Sequence, residues 1–347
     1  MKKFLSIALA LLMVCVMLPV VALAAEKTAS TYEELKSAIS TANDGDTIKL
    51  LADIDLSQTI TVNKTITLNM NGKKLYNTSD LWDKPTAEDD NWSLISVRGS
   101  GNLTITGNGT FAAKENDCYA VDVQESATVT IKNGTFIGNI HAVYVFAGTA
   151  NVEGGTYSVQ QKYPDSAKGD EFVLNCYDAN RANGTAHINV TGGTFKNFNP
   201  ADNKAEGEGN NFADNSLVVQ KNNTVQNNDY YVGNAANEVI AAASKGEEIF
   251  VLNGTTLTNV PAGVIIQNRT GDRITVNGKD VELTGDAGYT VPASNITIIV
   301  PGDTTPAETP KTDDQKNPST GANDFVGLAA AAAVVALLGS AVVLRKK

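Results

Sequence analysis

Four segments of this chain read alike: Leu103-Thr-Ile-Thr-Gly-Asn-Gly-Thr-Phe111, Val129-Thr-Ile-Lys-Asn-Gly-Thr-Phe136, Ala150-Asn-Val-Glu-Gly-Gly-Thr-Tyr157 and Ile188-Asn-Val-Thr-Gly-Gly-Thr-Phe195. Each is a strand of period two, a glycine-containing turn, then threonine and an aromatic residue. The turn pairs, Asn-Gly or Gly-Gly, supply the positive φ that a sharp corner needs. A second apolar strand precedes each copy, at 94–97, 120–123, 142–145 and 172–176. Phe111 and Phe136 are 25 residues apart, and Phe136 and Tyr157 are 21 apart. A unit of this length, with two or three short strands and no helix, cannot close a core alone and must stack on its neighbours.

Stacking predicts an all-β parallel solenoid that rises by about one strand spacing, ~4.8 Å, per coil. Alternation then turns Leu103, Ile105, Val129 and Ile131 inward, with Thr104 and Thr130 outward. The aromatic after each turn falls on its equivalent in the next coil, so Phe111, Phe136, Tyr157 and Phe195 form a ladder. A sandwich of antiparallel Asn-Gly hairpins is the competing architecture. Whole repetition favours the solenoid, since a sandwich needs no strand to resemble another. These segments resemble the right-handed parallel β-helix of pectate lyases and many surface proteins, over about residues 30–232. The shared motif is structural, and the resemblance brings no catalytic residue with it.

The ends of a solenoid expose unpaired strand edges and need covers. Thr31-Tyr-Glu-Glu34 is a capping box, and Leu35, Ala38 and Ile39 give the following helix an apolar face. Its order recurs later, as Glu238-Val-Ile-Ala-Ala-Ala-Ser-Lys245 before Glu248-Ile-Phe-Val-Leu252. Residues 233–300 therefore read as a second small β-rich unit, either a new short β-helix or a module stacked on the first. From 301 to 317 the chain is rich in Pro, Thr, Asp and Lys, the composition of an extended, disordered stalk.

Both termini carry export signals. Met1-Lys2-Lys3, the apolar stretch from Phe4 to Val21 and the small-residue site Ala22-Leu23-Ala24 predict a signal peptide over 1–25, cut after Ala24 or Ala25 so that the mature chain starts near Glu26. At the other end, Asn317-Pro318-Ser319-Thr320-Gly321 precedes 20 uncharged residues, Phe325 to Leu344, and then Arg345-Lys346-Lys347. Twenty apolar residues suffice for a transmembrane helix. The arrangement resembles the sorting signal of Gram-positive wall proteins, a Leu-Pro-x-Thr-Gly motif in which Asn317 here replaces the leucine. The resemblance implies that a sortase cuts after Thr320 and joins its carboxyl to peptidoglycan. The protein would then be extracellular and covalently wall-attached, after transient retention in the membrane. An ordinary single-pass anchor is the plainer alternative.

Charge restricts the partners. Taking residues 26–320 as the mature form removes five of 27 basic and one of 38 acidic residues, leaving a net charge of about −15. Such a chain repels nucleic acid and strongly anionic polysaccharide. With Cys15 in the leader, only Cys118 and Cys176 remain, and two buried thiols fit better than a bridge.

Chemistry on a solenoid is sought among outward ladder positions: Ser96, Asp122 and Tyr144 by alternation, with Arg98 and Glu125 at the corner. A lyase would need clustered carboxylates holding calcium, and a hydrolase two carboxylates across a groove. The ladder offers one carboxylate, so no cofactor or metal is implied and no catalytic residue is assigned. His141 and His187 read as surface residues. Trp82 and Trp92 flank Glu88, Asp89 and Asp90, a loop able to stack on a sugar ring and bind its hydroxyls. With insertions at 77–91, 160–170 and 197–215, these features point to a non-catalytic adhesin or glycan binder, or to a polysaccharide lyase or glycoside hydrolase. The expected partners are a sortase, peptidoglycan, and a carbohydrate or host-surface ligand.

Overall fold

The computed structural model describes residues 24–82, 92–161, 172–201, 210–212, 216–221, 229–234, 240, 243–252, 256–270, 272–282 and 288–293. Most of the expected signal peptide, residues 83–91 with Glu88, Asp89 and Asp90, and the expected stalk, sorting signal and 325–344 span lie outside them. No helix among the described residues is long and apolar enough to cross a membrane.

Each coil contributes one strand to each of three sheets, so the threonine and aromatic after the glycine turn make a third short strand. The first sheet is wholly parallel and eight-stranded, in spatial order Glu26–Ala29, Thr47–Leu50, Thr65–Asn69, Asn102–Thr106, Thr128–Ile131, Gly148–Val152, Ala186–Val190 and Asn210–Phe212. The second sheet is parallel and five-stranded: Ile60–Val62, Ser93–Val97, Tyr119–Val123, Val143–Val145 and Leu174–Cys176. In the third sheet, Ile54–Asp55, Lys74–Tyr76, Thr110–Ala112, Thr135–Gly138, Thr156–Val159 and Gly193–Lys196 also run parallel. This is a β-helix-like fold and excludes the antiparallel sandwich.

The inward alternation holds. Leu103, Ile105, Val129 and Ile131 are fully buried, whereas Thr104 and Thr130 are half-buried on the other face. Phe111, Phe136, Tyr157 and Phe195 stack with centroids 4.9, 5.1 and 5.1 Å apart and ring planes within 15°. Register pairs each ring with the next and pairs the threonines ahead of them, Thr110, Thr135, Thr156 and Thr194, in the same way. Each such ring, removed from water, stabilises the fold by about 1.5–3 kcal/mol. The buried Tyr157 hydroxyl donates to Gly154 O, which satisfies the one polar atom in the ladder. Gly134 sits at φ 117°, and a Cβ there would lie 3.2 Å from the Phe136 ring, so the corner admits only glycine.

Helix Tyr32–Ser40 begins as its capping box requires: Thr31 Oγ1 accepts from Glu34 N, and Glu34 Oε2 accepts from Ser30 N. Leu35, Ala38 and Ile39 are buried against the first coil. Lys64 Nζ donates to Ser40 O and Ala42 O and closes the far end of the helix.

The boundary expected at 232/233 falls inside strand Asp229–Asn234, which pairs antiparallel with Gly193–Lys196 and with Ser216–Lys221. The third sheet thus continues into the later region. Strand Ser216–Lys221 serves two cores: Val218 packs into the first, and Leu217 and Val219 into a second with Ile249, Val251, Val264 and Ile266. Beyond it, Glu248–Val251 pairs parallel with Ile265–Asn268, and Thr256–Leu257 with Ile274–Val276. Lys279–Val281 and Tyr289–Thr290 add antiparallel pairings to Ile274–Val276 and Ile265–Asn268, so the region is a small β-rich unit of mixed pairing joined to the third sheet through Ser216–Lys221. Cys118 and Cys176 are buried free thiols, and burial raises the Cys118 thiol pKa well above its ordinary value.

Candidate functional site

Parallel register aligns equivalent residues across coils, so the outer face of the second sheet carries two rows of side chains along the coil axis. One row is Thr61, Ser96, Asp122, Tyr144 and Asn175. In the next row, Arg98, Gln124, Phe146 and Tyr177 each follow the last strand residue and continue its hydrogen bonding, through Arg98 N to Val62 O, Gln124 N to Val97 O, Phe146 N to Val123 O and Tyr177 N to Val145 O. Alternation also brings Trp92 to this face.

This face is not the open groove that alternation suggests. Every residue of Ser93–Val97 and Tyr119–Val123 is buried, including Ser96 and Asp122. Pointing away from the core is not the same as meeting water when large rings gather at the same face. Trp82 meets Trp92 at 4.4 Å and Tyr119 at 5.3 Å, both edge-on, and Tyr119 meets Tyr144 at 5.1 Å. Asp122 therefore organises its neighbours: Ser96 Oγ donates to it at 3.2 Å, and Gln124 Nε2 lies 2.9 Å from both carboxylate oxygens. Gln124 was not recognisable in the sequence, because a lone glutamine after a strand has no signature.

His141 is buried, contrary to its reading as a surface residue. It sits beside Tyr119 and Tyr144, with ring centroids 4.7 and 5.3 Å away. Its Nδ1 is 2.7 Å from Phe172 O, an atom that only accepts, so Nδ1 carries the proton and Nε2 accepts from Asn175 Nδ2 at 3.1 Å. Burial lowers its pKa to about 4, and the ring is neutral. Asn175 spends its amide on this contact, and its buried Oδ1 has no hydrogen-bond partner among the described residues. His187, by contrast, is half-buried on the first sheet, where Nε2 bonds Gly184 O.

Trp82 is held through its backbone. Asp117, 4% exposed, accepts from Asn77 Nδ2, from Leu81 N and from Trp82 N, so it staples the chain just ahead of the 83–91 loop. Arg98 is half-buried, with Nη2 3.9 Å from Glu125 Oε1. The structure thus collects Trp82, Trp92, Arg98, Asp122 and Tyr144 on one side of the molecule.

Four large hydrophobic side chains are exposed among the described residues, and three of them stand here: Trp92 at 44%, Phe146 at 38% and Tyr177 at 43%. Phe146 and Tyr177 stack at 4.8 Å across adjacent coils. Among the described residues no group of His, Cys, Asp and Glu is placed to hold a metal ion. A shallow groove at the corner of the first and third sheets is lined by Asn108, Thr110, Asn133, Thr135 and Thr156 and has no titratable side chain on its walls. Comparison with protein-family models, curated proteins and solved structures finds no match.

Proposed function

We propose that this chain is an exported, wall-displayed β-helix protein of right-handed coil that binds glycan without cleaving it, through the outer face of the second sheet. One observation carries the reading: three exposed rings, Trp92, Phe146 and Tyr177, stand along the second sheet. Rings supply apolar platforms for the C–H faces of a sugar, and convergent polar atoms give specificity. The acidic body favours neutral or amino sugars over strongly anionic chains. Hydrolysis by the usual route needs a second carboxylate, and Thr61, Ser96, Tyr144 and Asn175 fill the other places in the Asp122 row. In this reading the stalk holds the domain clear of a wall to which Thr320 is joined, and residues 325–344 span the membrane before sorting.

A glycan array with the purified protein, paired with reducing-end assays on the hits, tests it. Binding without product is expected; turnover would make the protein a lyase or hydrolase, and an empty array would refute glycan recognition. A wall-peptide mass adduct on Thr320, lost in Thr320→Ala, tests the attachment.

A further inference from the structure

Asp46 is 2% exposed, and a carboxylate so buried is ordinarily paired with a cation. Among the described residues no cationic side chain hydrogen-bonds to it. Its Oδ1 accepts from Ala25 N at 2.8 Å and its Oδ2 from Asn43 N at 3.0 Å, with Lys27 and Lys64 acting only at longer range. These two backbone donors hold its carboxyl below the usual carboxylate range. Ala25 is fixed on its other side as well, since its carbonyl accepts from Thr47 N at 2.8 Å at the start of the first parallel ladder. Ala24, one residue earlier, is exposed.

We propose that signal peptidase cleaves between Ala24 and Ala25, and that the new α-ammonium of Ala25 becomes the missing cation, ion-paired with buried Asp46. Ala22-Leu23-Ala24 has small residues at the two positions such a peptidase reads, whereas a cut one residue later would put Leu23 at the outer one. Water adds across the Ala24–Ala25 amide, leaving a carboxylate on Ala24 and an amine on Ala25 that takes up a proton. In the precursor the same nitrogen is a neutral amide donor. After cleavage the bond is charge-assisted and stronger, so maturation itself fastens the first strand over the capping helix. A cut after Ala25 would delete the donor and leave Asp46 buried with Asn43 alone.

This inference rests on the export reading, and one measurement separates the two. Intact mass and N-terminal sequencing of the exported protein should find Ala25 first. A start at Glu26 or elsewhere beyond the leader would overturn the ion pair while leaving export standing, and a chain retaining Met1 would overturn both. Acetylation of the α-amine removes its charge and should lower the thermal midpoint by about 2–4 °C. Asp46→Asn should lower it by a similar amount, and the two losses should not add, because each removes the same pair. An unchanged midpoint on acetylation, or full additivity, would sink the pairing.

Discussion

Two sets of aromatic residues occupy this molecule, and they differ in kind. Inside, Phe111, Phe136, Tyr157 and Phe195 recur once per repeat and stack with planes 12–15° apart. Outside, Trp82, Trp92, Tyr119, His141 and Tyr144 come from unlike places in their coils, and four of their five contacts are tilted or edge-on, between 44 and 80°. Repetition marks the set that builds the solenoid. Departure from it marks the rings that close over the outer face of the second sheet and bury Asp122, leaving Trp92 and the stacked Phe146 and Tyr177 exposed.

The strongest way to break this contrast is to empty one place in each set. Phe136→Ala removes a fully buried ring and should cost about 3–5 kcal/mol in denaturant unfolding. Trp92→Ala, at 44% exposure, should cost well under half as much. Equal losses would mean that the outer rings are core.

Acid tests the outer set through His141. Its pKa is lowered in the fold to about 4, so the neutral form is the one packed there. Above pH 6.5 both the folded and unfolded states are neutral at this residue, and its contribution is fully present. As pH falls from 6.5 to about 4 only the unfolded chain takes up the proton, and stability drops by about 1.4 kcal/mol per unit, to a limit of about 3. His141→Asn should flatten that segment of the pH–stability curve, and an unaltered slope would assign the loss to other groups.

Binding should move separately from stability. Tyr177→Ala, at an exposed ring, should weaken affinity for an array-identified glycan at least tenfold, about 1.4 kcal/mol. Its unfolding free energy should fall by only about 1–2 kcal/mol, the worth of a half-exposed ring stacked on Phe146. Loss of binding only together with loss of fold would end the claim that this face is a site.

The smallest effect is expected at the rim. Glu125 adopts φ 61°, and its contact with Arg98 is a loose, exposed 3.9 Å pair worth little. Glu125→Gly relieves about 1 kcal/mol of left-handed strain and gives back about 0.5–1 kcal/mol through backbone entropy. Thermal unfolding should therefore be nearly unchanged.

Much of the fold was readable in the chain, for an identifiable reason. A solenoid requires each coil to solve the same packing problem, so Leu103, Val129, Ala150 and Ile188 repeat in kind, and local pattern and tertiary contact coincide. The capping box at Thr31 and Glu34 was equally plain, because it is satisfied within four residues. The site was only half readable. Trp82, Trp92, Asp122 and Tyr144 fall on one face with Arg98 at its edge, yet Asn175, Phe146, Tyr177 and the staple Asp117 gave no signal, since their partners lie in other coils, and Gln124 gave none although it bonds Asp122 two residues away. Nothing local distinguished the buried His141 from the half-exposed His187.

The sequence by itself determined the coil, its inward face and the aromatic ladder, because period-two alternation and whole-unit repetition favour one parallel stacking, whereas the unbridged state of Cys118 and Cys176 came from the structure. Only the tertiary structure decided which outward positions meet water, what becomes of the second unit, and which carboxylates are buried. Those outcomes depend on residues 20 to 40 apart in the chain, such as Ala25 with Asp46 or His141 with Asn175. Burial of a polar group is set by everything packed over it, and no local pattern in a sequence records that.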